Sequence, residues 1–597
     1  MKESRNQILD LNAMYKISEM ILSGKILAIT AAAFILFVPA NAQTKKTETE
    51  LKREVTLYNP YKPSLIEVKK KSFLPEIIDT ARISPVFKYQ VVSKPFSPTF
   101  SITPLKPAAL LSDPLPRLYK GYVKLGLGNY TTPLAELSIA NTRSKVGALG
   151  LYARHYSSNG LIRFPNSIER TTAAFMDNDG SIFGKKFFNK SLLGLSLDYS
   201  ERTRYAYGFN YEDPQYFYIP VKKNIKTGYF DIGATASFSS LNLDSADFSY
   251  DFRVTYDYFH YTRYMTVNHA GLTGMMAKLY KGFYTGAGIT FDRYGLSDSI
   301  GIGPKFIFSA NPFLRRNTEQ WEFNLGLRLA LERNLTIDTR FHIYPDIDFG
   351  FSIVQAYMRF FASLTGRLEN NDPATVFTMN PFLQPVGTLF KVPNTRYPII
   401  VSGGLKGNDG IGGNYLVSAS YSVVNDLLLF ANINYPDTLG VIERGNHFEV
   451  IPDDAEILNF HGEMSGDLSS RLSFNIGGNI YRYTLSSQPY AWNKPNWDAN
   501  LALNYNLRNK IIAGVEFTGL GKRKLMTEQS LTGPLTLKPV IIEMPVHVNL
   551  GLSAEYRYTK ILSFWARVNN ISTKRYYEWL YYPSQMFNFM VGFTYSL

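Results

Sequence analysis

Histidine is the side chain best placed to move a proton or hold a metal near neutral pH. The 597-residue sequence has seven: His155, His260, His269, His342, His447, His461 and His547. None stands in an H-x-x-x-H or H-E-x-x-H pair, the spacing that aims two imidazoles at one ion from a helix face. Asp177-Asn178-Asp179-Gly180 has the composition of a calcium loop. It lacks the preceding ligand and the closing Glu of an EF-hand, so it reads as a turn or a polar patch. The Gly-rich run Gly403–Asn414 lacks the G-K-[ST] ending of a phosphate loop and opens no helix, so it reads as a hairpin turn. With no cysteine there is no disulfide scaffold, thiolate metal site or thiol nucleophile. The net charge of +14 comes from Lys and Arg scattered among Tyr and Asp, not gathered in a stripe, which argues against nucleic acid. No enzyme, cofactor, metal or nucleic-acid partner is expected.

What the residue types do show is a repeated element. From Met586 to Leu597 every second residue is large and apolar: Phe587, Phe589, Val591, Phe593, Tyr595 and Leu597. A period of two is a strand with two unlike faces. The pattern returns in Phe248–Tyr258, with Phe248, Tyr250, Phe252, Val254 and Tyr256 against Asp251, Arg253 and Asp257. It returns again in Val546–Tyr558, with Val548, Leu550 and Leu552 against Asn549, Glu555 and Arg557, and in Leu192–Tyr199 and Tyr229–Phe238.

Such strands suit either a soluble sandwich, apolar face inward, or a membrane barrel, apolar face outward to lipid and polar face to a wet lumen. Runs of about ten to fourteen residues exceed the usual soluble strand of about five or six and match a tilted bilayer crossing. Tyr256, Tyr258, Tyr556 and Tyr558 close their apolar faces, where amphipathic rings suit the headgroup level. A terminal strand greasy on one side needs lipid over that face and a paired edge, and a closed barrel supplies both. The expected fold is all-β: a transmembrane antiparallel β-barrel of about 22 strands from residue 118 to 597. Short turns at Phe188–Ser191, Leu243–Asp247, Asn506–Lys510 and Thr559-Lys560 belong to the periplasmic side. Tyr211–Lys222, Ser486–Pro495, Lys522–Met544 and Ser572–Gln585 are the long outer loops, while the side of Asn370–Pro398 is left open.

Ahead of the barrel, Lys16 and Lys25 precede the apolar run Ile26–Ala40, followed by Ala40-Asn41-Ala42. That is a secretory signal peptide, residues 1–42, cleaved after Ala42, with Met1, Met14 or Met20 as its start. Residues 43–117 are proline-rich and carry Lys69–Lys71, so an extended, poorly self-packed periplasmic segment is expected, as a tether or as a strap for a partner. The destination is the outer membrane of a Gram-negative bacterium.

The end of the chain resembles the C-terminal assembly signal of outer-membrane barrels, with Leu597 where a terminal Phe is usual. The strand count, together with Val568–Leu597, Trp497–Leu525 and Met379-Asn380-Pro381-Phe382-Leu383, resembles the barrel of TonB-dependent receptors. Asn569-Asn570-Ile571 followed by Lys574-Arg575-Tyr576-Tyr577 is the most specific piece. The resemblance implies uptake across the outer membrane, with lipid and the barrel-assembly machinery as partners and TonB or another protein bound through 43–117. Within that segment Glu54, Val55, Thr56 and Leu57 resemble a TonB box, a strand that would add to a sheet edge. Residues 43–117 are too few for the globular plug such receptors carry. The alternative is a plug-less barrel serving as a structural or assembly component of an outer-membrane complex.

Overall fold

The computed structural model describes residues 118–597, except 142–143, 164–169, 209–221, 224, 242–247, 262–264, 298–304, 335–336, 384–391, 411, 433–446 and 531–536. Ala42, Glu54–Leu57 and the Leu243–Asp247 turn lie outside the described residues.

Long strands follow one another round a ring, each hydrogen-bonded to its neighbours, and the last, Asn588–Ser596, returns to the first, Gly121–Gly128. Of 24 strands in the sheet, 22 form this closed antiparallel ring. The other two, Arg523–Ser530 and Leu537–Met544, form a hairpin tied to the ring by one parallel bridge, Asn432 to Thr527. Closure leaves no bare edge: Tyr122 to Gly128 pair with Ser596 to Met590, and Leu597 donates its N–H to Gly121 at 2.7 Å. The indole of Trp565 lies across this seam on the lumen side. Gly126 and Gly592 face each other there because a Cβ on either would meet the ring at 2.4 or 2.5 Å.

The alternating pattern sets the wall. Leu197, Val254, Tyr256, Leu327, Leu552 and Val591 stand exposed on the outer side, where lipid covers them. Polar partners fill the inner side. Asp177 and Asp179 lie within the strand Phe175–Phe187 and pair with Arg204 and Arg202, so the Asp177–Gly180 run is a lumen patch and not a turn. His269 bridges two wall carboxylates, with Nδ1 at 2.8 Å from Asp257 and Nε2 at 2.9 Å from Asp292. Glu555 and Arg557 are 3.6 Å apart, a pair open enough to water to add little stability. Of Gly403–Asn414, only the residues between Asn408 and Asn414 form the expected hairpin turn; Gly403–Asn408 is the paired end of the strand Thr395–Asn408, which joins Asn414–Asn432.

Short connections such as Phe188–Lys190 and Lys281-Gly282 share the end where the ring starts and finishes, and the long connections share the other. Outer-membrane barrels place these in the periplasm and outside respectively. Residues 370–394 join strands at the long-loop end, which settles their side as outer. No helix among the described residues is long and apolar enough to cross a membrane; the crossing is made by strands.

Candidate functional site

At the outer end the loops turn inward and build a body of their own across the mouth. Its centre is the segment between Glu369 and Thr395. Asp372 caps a short helix, Pro373–Met379, by accepting from the Thr375 N–H at 3.1 Å and its hydroxyl at 2.7 Å, and Pro373 fits the first helical turn, where no N–H is needed. Val376 and Phe377, on one face, are almost wholly buried. Asn380 ends the helix, and its side chain accepts from the Phe382 N–H at 3.0 Å, turning the chain so that Phe382 and Leu383 are buried as well. Met379–Leu383, the run singled out from the sequence, is thus the exit of the cap helix.

The rings that receive this segment come from separated parts of the barrel. Phe377 lies flat on Tyr261 of the wall strand Ser249–Tyr261, centroids 4.2 Å apart. Phe382 stacks on Tyr582 at 3.7 Å, and the Phe382 carbonyl accepts from the Phe448 N–H at 3.0 Å. Phe448 meets Trp579, and Tyr582 meets Tyr207. Ser249–Tyr261 and Phe448–Ser469 are nine places apart in the ring of 22, close to opposite sides. One apolar cluster therefore spans the lumen from wall to wall. Burial drives the Tyr207 and Tyr582 phenols well above their ordinary range. Tyr207 stays a neutral donor and bonds the Pro583 carbonyl at 3.1 Å.

A polar latch fixes both ends of the segment. The Asn371 N–H donates to Asn394 Oδ1 at 3.1 Å, and the Asn371 amide donates to the Pro393 carbonyl and to Thr395. Asn394 in turn donates to Glu332 Oε2 at 2.6 Å, and His342 holds the other Glu332 oxygen at 2.9 Å. From the opposite flank Lys305 reaches the Asn371 carbonyl, and Asn370 donates to Tyr294 Oη at 2.6 Å. All of these are wall residues except the three asparagines and Pro393.

Two further loops complete the cap. The Asn569-Asn570-Ile571 motif earns its place here: Asn570 takes a left-handed φ of 50° and donates from its amide to the Lys574 and Gln585 carbonyls. Its own N–H bonds Asn549, a residue the alternation places on the inner face. The loop held in this way carries Tyr577, Trp579 and Tyr582 into the cluster. Arg523, at the foot of the 523–544 hairpin, is buried and donates to the Tyr577 and Glu578 carbonyls and to Asn493. The sequence reading anticipated the loops but not this interior, and of the cap residues it named only Met379–Leu383 and the Asn570 motif. Phe589, Val591, Phe593, Tyr595 and Leu597 all stand exposed on the outer face of the last strand, with Phe587 just before it.

No protein-family model matches the sequence, and no curated protein matches it. Solved structures match in fold. The ferric-catecholate import receptor Fiu of E. coli K12 shares 10% identity, with a TM-score of 0.59 over 81% of this chain and 82% of that one. The pyoverdine outer-membrane receptor FpvA of Pseudomonas aeruginosa PAO1 shares 14%, with a TM-score of 0.60 over 81% and 79%. The copper transporter OprC shares 15%, with a TM-score of 0.58 over 81% and 82%. The chain thus has the 22-stranded barrel fold of TonB-dependent siderophore and copper receptors, a fold of the Gram-negative outer membrane.

Proposed function

We propose that the protein works in uptake across the outer membrane, with the loop cap as the gate at the outer mouth. The observation that carries this reading is the cap itself. A barrel of about 22 strands is too wide to be left open, and known transporters of that size plug the lumen. Here the chain's own outer loops span it, built round a short helix whose segment is latched to the wall at Asn371 and Asn394. Lys305, Glu332 and Arg523 are engaged in bonds that hold loops, which supports a binding and gating part for them over a catalytic one. Metal chelates are the cargo class suggested by the receptors that share the fold. The proposal includes export directed by residues 1–42 with cleavage after Ala42, insertion by the barrel-assembly machinery guided by Phe587–Leu597, and Glu54–Leu57 within 43–117 as the contact for TonB.

A second reading is favoured by the packing of the same cap. Phe377, Leu383, Phe448 and Tyr582 are as buried as the core of a soluble domain, which suits a permanently closed barrel serving an outer-membrane complex. One experiment separates the two. Leu383 and Phe448 are bridged backbone to backbone, and the chain has no cysteine, so L383C/F448C offers a cap that can be locked by oxidation and released by reductant. In cells starved of chelated iron or copper, the uptake reading expects the oxidised lock to reproduce the growth defect of a deletion and reductant to restore growth. If the locked protein supports growth like wild type while deletion disturbs outer-membrane assembly, uptake is wrong and the structural reading stands.

A further inference from the structure

At the periplasmic end of the outer wall, cations and aromatic rings are paired repeatedly. Lys186 lies 5.3 Å from the Phe188 ring centre and Lys281 5.2 Å from Tyr280. Arg316 sits between Phe283 and Trp321, at 5.0 and 5.5 Å, and Lys510 lies 5.3 Å from Tyr556. These positions recur along the ring, from the strand Phe175–Phe187 round to Trp321–Asn334 and again at Ile511–Leu520. All stand beside short connections.

The rings belong to the lipid side. Tyr280 keeps step with Met276 and Leu272, half-buried Trp321 with Leu325, and Tyr556 with Leu552; apart from Trp321 these residues are exposed on the outer wall. Rings at this level form the girdle of a membrane barrel, and a cation lying on such a ring is held at the height of the lipid headgroups. Lys278, on the same outward side as Tyr280, adds to the row and is itself exposed. Among the described residues, the acidic groups in or beside the turns at this end are Glu319, Glu322, Asp409, Asp467 and Glu555; Glu322 is paired with Arg359, Glu555 lies by Arg557, and Asp409 accepts from the Gly413 N–H at 2.7 Å. The sequence scatters these cations because successive turns at one end are two strands apart; closing the ring gathers them into a collar.

We propose that this collar binds the anionic phospholipid headgroups of the inner leaflet of the outer membrane and so fixes the barrel's depth and tilt. The phosphate is the acceptor, the lysines and Arg316 the donors, and the rings hold the donors in place. Basic residues at an anionic lipid surface each strengthen attachment severalfold, and the effect fades with salt. This inference is independent of what passes through the lumen.

The test uses the full chain reconstituted in phosphatidylcholine vesicles containing either brominated phosphatidylglycerol or brominated phosphatidylcholine, with quenching of tryptophan fluorescence as the readout. Trp321 lies in the collar. Brominated phosphatidylglycerol should quench more strongly at low salt, and the preference should fall away at high salt and in K186Q/K281Q/R316Q/K510Q. The exposed pair K278Q/K281Q, beside a two-residue turn, is a gentler variant and should lower the preference by about fivefold per charge removed. Equal quenching by both lipids in the wild-type protein, or a preference that survives the fourfold variant and high salt, overturns the proposal. So does binding of soluble polyglutamate without any lipid preference, which would make the collar a seat for an acidic periplasmic macromolecule.

Discussion

Phe377 and Tyr261 lie face to face, ring centres 4.2 Å apart and planes 11° from parallel, and join the cap helix to the inner side of a membrane strand. Both rings are almost fully buried. Removing a buried Phe ring from a core costs about 3–5 kcal/mol. The wall keeps its own ladder of backbone bonds, so that loss should fall on the cap alone. Phe377→Ala is expected to insert normally and still show heat-modifiable migration, yet to raise single-channel conductance in planar bilayers well above wild type. Loss of insertion and of heat-modifiable migration in the variant would show instead that the cap and wall are one cooperative unit.

Asn394 joins the two ends of the cap segment to the wall. Asn394→Ala leaves the Asn371 N–H and one Glu332 oxygen without partners in a buried place, at a cost of about 1–3 kcal/mol. Amide exchange in the helix Pro373–Met379 should speed up by about tenfold or more, while exchange in the strand Met358–Glu369 stays slow. Asn394→Asp should be worse, since it sets a second carboxylate against Glu332. Equal exchange in the variant and the wild type would mean that the stacked rings alone hold the loop.

The barrel was legible because its signal is repeated. Each strand carries the same alternation, and the lipid side of Val546–Tyr558 reads directly from Val548, Leu550 and Leu552. The cap was harder to read because its residues come from loops far apart in sequence and share no period. A local signal did exist in the strands that support it. In Ser249–Tyr261 the inner face is polar at Asp251 and Asp257 but turns aromatic at Phe259 and Tyr261, where lumen water gives way to the cap. In Asn414–Asn432 the alternation stops at Leu427-Leu428-Leu429-Phe430, buried on both faces. A membrane strand that turns apolar on both sides at its outer end marks an apolar body inside the barrel. The Asn371–Asn394–Glu332 latch left no such trace, since short polar residues bridging distant segments carry no spacing rule.

The seam gives a sharper test of closure. Trp565 lies over Gly126 and Gly592, and a Cβ at Gly126 would stand 2.4 Å from the indole. The indole is rigid and set against the wall, so Gly126→Leu must displace it and strain the pairing of the first and last strands. The variant should lose its heat-modifiable band at a temperature several degrees below wild type. Gly184→Leu, on the lipid side, where a Cβ finds only ordinary contact at 3.7 Å with Leu149, is the control for adding a leucine away from the seam and should change little. Equal behaviour of the two variants would show that Trp565 moves freely and that the seam is no weaker than other strand pairs.

The last strand is asked to do two things, pair and face lipid, and the two can be separated. It bonds both neighbours, Tyr122–Gly128 on one side and Leu562–Asn569 on the other, so deleting Met586–Leu597 bares two edges at once. No inserted, protease-resistant barrel is expected from that deletion. Point changes then test the faces. Phe593 is exposed on the outer wall, whereas Thr594 beside it points to the lumen opposite Lys124. An arginine buried at mid-bilayer costs about 2–4 kcal/mol, while a lumen substitution costs little. Phe593→Arg should therefore slow assembly in vesicles and in cells, and Thr594→Arg should assemble as wild type does. If Thr594→Arg were the damaging one, the alternation would be out by one residue and every inner and outer assignment in the barrel would reverse.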